Sequence, residues 1–482
     1  MEIEVVKKVA DIRSRDYLSR NSFIDVSKRY FRNRNDIKVL KNPLKDRYHQ
    51  DNPTELNPIR NADNRISHPW HRLLVTQKAS YAMSTPPTFD TKDEHLNTEI
   101  SKFLGASFAK IATDLSIEAS NAGIAWLHVW KDEDYQNFFR YGIIETEQLV
   151  PIFSKGFNKE LVGMKRTYSD IDEEGNSVTI IEYWNDEKCV FYKKIKKNVG
   201  NGETEEFLEP YNLFSVIDTA TNTKVDETNE YEHDWGEVPF IPFRNSADEM
   251  PDLLKYKDQI DVYDKVYSGF INDLDDVQEI IFILTNYGGQ DRQEFLDDLN
   301  RFKTIKVDDY GSEGKGGVET LAVDIPTEAR DKMLEITRES IFMLGQGVDP
   351  QKNIGQNNSG VALRQMYALL ELKASEHEIE FRQGFSQLIR FIMIYSNKDP
   401  DIEVTQTWSR TMINNNSEQA EVVAKLAAVS SKEAIAKSNP LVENWQDELD
   451  TLAKENADDL RMENDYKPVD EDVVDDEDEE TT

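Results

Sequence analysis

The sequence predicts an α+β chain built around long helices, and three observations predict it. Apolar residues recur at helical spacing in three stretches: Leu253, Tyr256, Ile260, Tyr263, Phe270 and Leu274; the run 326–345; and Leu363, Met366, Leu370, Ala374, His377, Phe381, Phe385, Leu388, Ile392 and Tyr395. Apolar–polar alternation marks strands at 125–130, 139–145, 178–184 and 189–195, and the turn signals EEGN and NGET beside them fit an antiparallel meander. Between the first two helical stretches, 277–325 switches from the apolar IIFIL to a polar helix-like run, a strand-like TIKVDD, the loop GSEGKGG and VETLAVDI, the pattern of a small α/β insertion.

Each element has a local reason. Residues 1–60 form an N-terminal arm, and the first 48 carry 13 Lys or Arg against 7 Asp or Glu. Two readings fit them: a solvated, partly helical arm, or an arm lying against an acidic partner surface such as another subunit. A mixed domain follows at 61–247, opening with helices over Trp70–Met83 and Asn97–Gly123 and closing on VPFIPFRN, where Pro242 biases Ile241 toward extended geometry. The first long helix occupies 248–276 and the second 326–345, with Pro326 suited to its first turn. The Gly/Asn-rich break 346–358 leads into 359–414, the longest helix and then a strand-like IEVTQTW. Helices rich in Ala, Glu and Lys fill 415–464, and an acidic tail, 465–482, is expected to be disordered because like charges repel and nothing apolar offsets the entropy of ordering.

Composition excludes several classes of function. The 482 residues hold 57 Lys plus Arg against 92 Asp plus Glu, a net charge of −35, which argues against tight nonspecific clamping of nucleic-acid phosphates. One cysteine, Cys189, excludes an intramolecular disulfide or a four-cysteine zinc site, suits a reducing compartment, and sits in a strand pattern as a small hydrophobe. Neither the MEIEVVKK start nor the short apolar runs IIFIL and FIMIY resemble a signal peptide or a membrane span, so the expectation is a soluble protein assembled inside the cell.

Catalytic motifs are scarce. The Gly-Lys of GSEGKGG lacks the following Ser or Thr and the glycine spacing of a phosphate-binding loop, so it reads as a flexible connection. His68 and His71 in HPWH have ligand-like spacing but no third ligand nearby, and read as polar residues at a helix start beside a core anchor, Trp70. Asp261, Asp264, Asp273, Asp275 and Asp276 could hold a divalent metal, yet their helical spacing among lysines reads as a solvated face. The residues therefore predict no enzyme, no metal and no cofactor. Amphipathic rods that need neighbours point instead to a part of a larger assembly, a closed homo-oligomer of cyclic symmetry.

Three blocks carry a resemblance to a known family: NADNRISHPWHRLLVTQKASYAMSTPPTF (61–89), GEVPFIPFRN through the helix to LTNYGG (236–289), and SGVALRQMYALLELKASEHEIEF (359–381). In these the chain resembles the portal proteins of tailed bacteriophages, specifically those of siphophages of Gram-positive hosts, over roughly residues 20 to 460. The resemblance implies a portal fold with long stem helices, a mixed α/β wing and clip, and a helical crown. On this chain the stem corresponds to 248–276 and 326–345, the clip to 277–325, the channel loop to 346–358, the wing to 61–247 with the long helix and strand of 359–414, and the crown to 415–464. It further implies a ring of about twelve subunits, or thirteen when isolated, at one vertex of the capsid in the virion, assembled in the host cytoplasm. Double-stranded DNA is packaged and ejected through such a ring; terminase, a head–tail adaptor, and the major capsid and scaffold proteins are its partners, and no membrane is involved. Gly347, Asn353, Gly355, Gln356, Asn357 and Asn358 are then the channel-loop residues, and Phe295, Leu299, Phe302, Gly311 and Lys315 belong to the clip and its docking surface. An acidic ring suits this role, since it repels passing phosphates over about a Debye length.

Two other readings stay open on the residues alone: a capsid-associated scaffold or adaptor without a DNA channel, and a metal-dependent nuclease-like enzyme using the carboxylates of 261–276. The tail yields a first prediction. Residues 470–480 contribute −9 of the net charge and only Val473 and Val474 as apolar side chains. A chain ending at Pro468 is expected to assemble at least as stably as the full chain at low salt, the difference shrinking as salt screens repulsion. Thermal denaturation of both across a salt series checks this, and a truncated form that melts well below its parent would contradict it.

Overall fold

The computed structural model describes residues 1–39, 62–132, 138–157, 159–171, 175, 177–200, 203–218, 223–277, 281–285, 317–321, 326–351, 360–410, 424–425, 430–438, 442, 445 and 448–456. The chain divides into two compact units, Met1–Gln351 with Ala368–Thr411, and Lys352–Tyr367 with Met412–Thr482. In the first unit two antiparallel sheets stack face to face, with helices on their outer faces. The larger sheet has the order β11-β7-β6-β5-β4, where β4 is Leu149–Phe153, β5 Leu161–Ile171, β6 Ser177–Trp184, β7 Lys188–Gly200 and β11 Glu230–Glu232; β8 (Glu203–Pro210) also pairs with β7, and β9 (Phe214–Asp218) pairs with β10 (Thr223–Thr228). The smaller sheet is β12-β2-β3, with β2 Ile124–Asp132, β3 Phe138–Ile144 and β12 Phe240–Arg244. Pro242 lies in β12, an edge strand, where a missing N–H costs no central ladder bond.

The two-residue alternation of a strand decides which side chains meet. Leu149, Met164, Ile180 and Trp184 project from one face of the larger sheet onto Ile124, Trp126 and Phe240 of the smaller, and Cys189 is buried among them. Ile152, Ile181 and Tyr183 project from the other face and are covered by Val6 and Ala10 of α1 (Ile3–Phe31). The N-terminal segment is therefore not a free arm. Arg13 donates to the Pro151 carbonyl and Arg20 to those of Thr146 and Leu149, while Lys165 pairs with Asp11 at 2.7 Å, so these bonds hold α1 to its own sheet.

The smaller sheet carries helices on its outer face. After the short α2 (Asp36–Val39), α3 spans Trp70–Met83, as the sequence predicts. The helix expected over Asn97–Gly123 is instead two: α4 (Glu94–Leu104), capped by Asp93, and α5 (Phe108–Ala122). Between them Gly105 takes φ +66° with ψ 176°, a backbone conformation open to glycine that stops the first helix. The helix expected from 248 begins only at Lys257 (α6, Lys257–Val277), because Pro251 and the left-handed Glu249 (φ 54°) set up a separate 3₁₀ turn at Asp252–Lys255. Beyond α6, β13 (Ile281–Thr285) pairs antiparallel with β14 (Gly317–Leu321), which closes the base of the expected insertion; α7 (Thr327–Leu344) then returns. Phe295, Leu299, Phe302, Gly311 and Lys315 lie outside the described residues, as do GSEGKGG through Gly316 and the tail. The longest helix, α8 (Gly360–Tyr395), lays Phe381 and Phe385 against Phe243 of β12 at ring distances of 5.1 and 5.0 Å. The strand expected over 402–408 narrows to β15 (Thr405–Thr407), which pairs with β1 (Thr88–Asp90). In the second unit the described residues include the short α9 (Lys432–Ser438) and a helical turn at 448–456. No helix among the described residues is long and apolar enough to cross a membrane.

Gly384 offers a test of the α8 contact. A Cβ there would lie 2.6 Å from two carbons of the Phe243 ring. Helix propensity alone favours Gly384→Ala by about 1 kcal/mol. The close ring reverses the sign, and the variant is expected to lose about 1–3 kcal/mol, read as a lower denaturation midpoint. A raised midpoint would show that the contact is loose.

Candidate functional site: a helix pair rooted in a buried junction

α6 and α7 run antiparallel, and their contacts follow from their amphipathic faces. Near the far end Arg330 pairs with Asp273 and its guanidinium lies 5.5 Å from the Phe270 ring. Near the root Ile260, Ile341 and Phe342 join Tyr30, Leu74, Leu253 and Tyr256 in one apolar cluster, and Trp70 packs edge-on to Tyr263 and Phe342. Trp70, expected from the sequence as a core anchor, is half-buried and packs against the edge of this cluster. The exposed side of α7 carries Glu328, Asp331, Glu335 and Glu339 with Lys332, while Arg338 is drawn to Asp349.

The root is fixed by buried polar groups. The Asp252 carboxylate, 1% exposed, accepts from Lys78 at 2.9 Å and pairs with Lys373 at 3.0 Å on the same oxygen, while Asn245 Nδ2 donates to the other at 2.9 Å. Lys373 also donates to the Gly345 carbonyl at the end of α7, and Lys78 to Asn245 Oδ1. One carboxylate therefore ties α3, β12's exit, the end of α7 and α8 together. Burial alone would raise the Asp252 pKa, but Lys373 and Lys78 hold it well below the usual carboxylate range. Burial pushes Lys78 down to about 8, a shift that Asp252 opposes and Lys373 reinforces.

The segment leaving α7 is clamped as well. Gln77 Nε2 donates to the Val348 carbonyl at 2.7 Å and its Oε1 accepts from the Val348 N–H at 3.1 Å. Gly347, a channel-loop residue on the resemblance, also allows a close approach: a Cβ there would sit 2.3 Å from Leu74 Cδ2. Asn353, Gly355, Gln356, Asn357 and Asn358 lie outside the described residues.

Histidines line the junction in neutral form. His71 bridges Tyr256 (2.8 Å) and Asn121 (2.9 Å), and burial lowers its pKa to about 4; His377 touches Ser116 Oγ at 2.9 Å and is lowered well below the ordinary value by burial. His68 does not join His71, since its ring and N–H are held by Asp264 at 2.8 and 3.0 Å. Asp264 is fully buried and also accepts from Asn35, which corrects the expectation of a solvated face. The neighbouring carboxylates are separately engaged: Asp261 by Tyr30 and Lys257, Asp273 by Arg330, and Asp275 by Asn64. Among the described residues no three His, Cys, Asp or Glu side chains are grouped to hold a metal.

Comparison with known proteins decides the family. The family model described as "Phage portal protein, SPP1 Gp6-like" matches residues 15–462. The chain belongs to this phage portal protein family. It is 36% identical over 466 residues to the portal protein of Clostridium phage phiCD119, covering 94% of this chain and 95% of the relative. It is 30% identical over 436 residues to the portal protein of Bacillus phage SPP1, covering 89% and 82%. A solved structure described as the neck of a native GTA particle computed with C12 symmetry superposes with a TM-score of 0.42 at 12% identity, over 78% of this chain and 90% of the other. Family membership thus agrees with the resemblance carried by 61–89, 236–289 and 359–381.

Lys78, Asn245, Asp252 and Lys373 were not singled out by the sequence, although lysines at core spacing, between Leu74 and Ala82 in α3 and between Leu370 and Ala374 in α8, were a signal. The junction makes two predictions. Asp252→Asn leaves two buried ammonium groups without a counter-charge and is expected to cost about 3–5 kcal/mol in chemical denaturation; a loss under about 1 kcal/mol would contradict the assignment. The buried histidines have depressed folded-state pKa values, so the unfolded chain binds more protons below pH 6.5. Their contribution is full above that value and is lost as pH falls toward 4. Melting temperature should therefore fall between pH 6.5 and 4, less steeply in His71→Gln.

Proposed function

We propose that this chain forms the ring at the unique vertex of a tailed-phage capsid, through which double-stranded DNA is packaged and ejected. Membership of the portal family over residues 15–462 carries the reading. About twelve copies would close the ring. In it α6 and α7 are the stem, 277–325 the clip, 346–358 the channel loop, 359–414 with 61–247 the wing, and 415–464 the crown. Terminase and the head–tail adaptor would dock on the clip, and the major capsid and scaffold proteins around the wing. The ring itself supplies a passage and a docking surface; the work of moving DNA comes from terminase.

The electrostatics support a passage in which DNA slides. Arg330 and Arg338 are engaged by Asp273 and Asp349, which leaves the exposed side of α7 with four carboxylates and Lys332. Such a face repels phosphate at short range and releases no counterions on contact. The rings are expected to image as open particles. Replacing Glu328, Asp331, Glu335 and Glu339 by Lys should leave them assembled but make them retain duplex DNA in a salt-sensitive way, read by filter retention across a salt series. Solid particles, or a lysine variant no stickier than its parent, would contradict this reading.

A further inference from the structure

Several helices of the first unit expose lines of large apolar side chains: α7 does so with Met333, Ile336 and Met343, and α1 and α8 carry the two lines compared below. On α1, Val5, Ile12 and Phe23 are exposed, Ile12 at 73%, and their separations of seven and eleven residues are close to whole turns, so they share one side. Lys8 and Arg15, with Glu4, flank that line on one side and Asp16 lies within it, all exposed. On α8, Leu369, Leu372 and Ile379 form a second line, Leu372 at 63% and Ile379 at 62%, opposite the buried Leu370, Ala374 and Phe381. Here the interleaved charges are acidic, the exposed Glu376 and the half-buried Glu380. Apolar side chains exposed in rows rather than singly mark contact surfaces.

Their positions in the fold relate the two lines. α1 covers the outer face of the larger sheet through Val6 and Ala10, and α8 the outer face of the smaller through Phe381 and Phe385. The Val5 and Ile12 part of the α1 line and the α8 line therefore belong to opposite flanks of one stack of sheets, while α1 runs on through Ser27 and Tyr30 to the helices of the junction. A patch that meets a different patch on the far side of an identical copy gives a head-to-tail contact, which closes into a ring when the rotation allows.

We propose that the α1 line of one copy packs on the α8 line of the next, with Lys8 and Arg15 set against Glu376 and Glu380. The occupant is a second copy because both halves of the match are on this chain, in apolar spacing and in sign of charge. This proposal rests on the ring reading above and names the surfaces that join its members. Helix-on-helix packing buries the apolar residues, and the rim charges fix which flank meets which.

Charge reversal with rescue tests it on the full chain, with particle mass followed by mass photometry. Lys8→Glu with Arg15→Glu, and separately Glu376→Lys with Glu380→Lys, are expected to raise the concentration needed for assembly by about tenfold or more. The four substitutions together should restore it, which a merely misfolded variant cannot do. Ile12→Cys with Leu372→Cys should give a ladder of disulfide-linked multimers on oxidation while either alone gives none, the native Cys189 being buried. Parent rings whose assembly ignores both reversals and yields no ladder would overturn this interface and leave the ring reading standing. A parent that stays monomeric at every concentration would overturn the ring reading and the interface with it. Duplex DNA bound by the parent and lost on reversing Lys8 and Arg15, with assembly unchanged, would assign the α1 face to nucleic acid and overturn the proposal.

Discussion

One buried carboxylate ties four segments of the first unit together. Asp252 sits where four chain segments meet, and two ammonium groups share one of its oxygens. Taking these charges out of water is expensive, and the arrangement persists because each partner is itself satisfied, Lys78 by Asn245 and Lys373 by the Gly345 carbonyl. A buried ion cluster of this kind specifies geometry more than it adds stability. Any shift of α8 against the end of α7 would cost Lys373 its bond to the Gly345 carbonyl and leave it Asp252 alone.

From that constraint the rest of the unit can be followed outward. Gly345 is pinned, so α7 leaves the core in a fixed direction, and the Gln77 clamp on Val348 fixes the segment beyond it. The cluster of Trp70, Tyr263 and Phe342 then sets the spacing of α6 and α7, and Arg330 with Asp273 closes their far ends. A pair of helices rooted in a charged knot, with acidic side chains on its exposed side, fits the stem proposed above.

Much of this was legible. The helices at 70–83 and 327–344 and the long helix ending at Tyr395 follow from apolar spacing, because each presents one continuous face to a core. The split at Gly105 was not legible in that spacing, since Leu104 and Phe108 keep the apolar rhythm across a glycine of positive φ. The N-terminal segment is held more closely than its charge suggests: Arg13 and Arg20 find their acceptors in backbone carbonyls of β4 and its approach, more than a hundred residues away, while Lys8 and Arg15 stay exposed. Asp264 misled, because a carboxylate among lysines on a helix looks solvated until Asn35 and His68 arrive from a distant part of the chain. The two core lysines were visible in the helical spacing, but their shared acceptor lies in a 3₁₀ turn that no periodicity marks.

The central claim is that the Asp252 junction makes the end of α7, the segment at Val348 and α8 around Lys373 one cooperative body. Native-state hydrogen exchange by mass spectrometry tests it most directly. Peptides covering 341–348 and 369–381 should open together in the parent, and Asp252→Asn should lower protection in both by a similar free energy while leaving β5 and β6 unchanged. Protection lost only near residue 252, with 341–348 and 369–381 exchanging as before, would contradict the account.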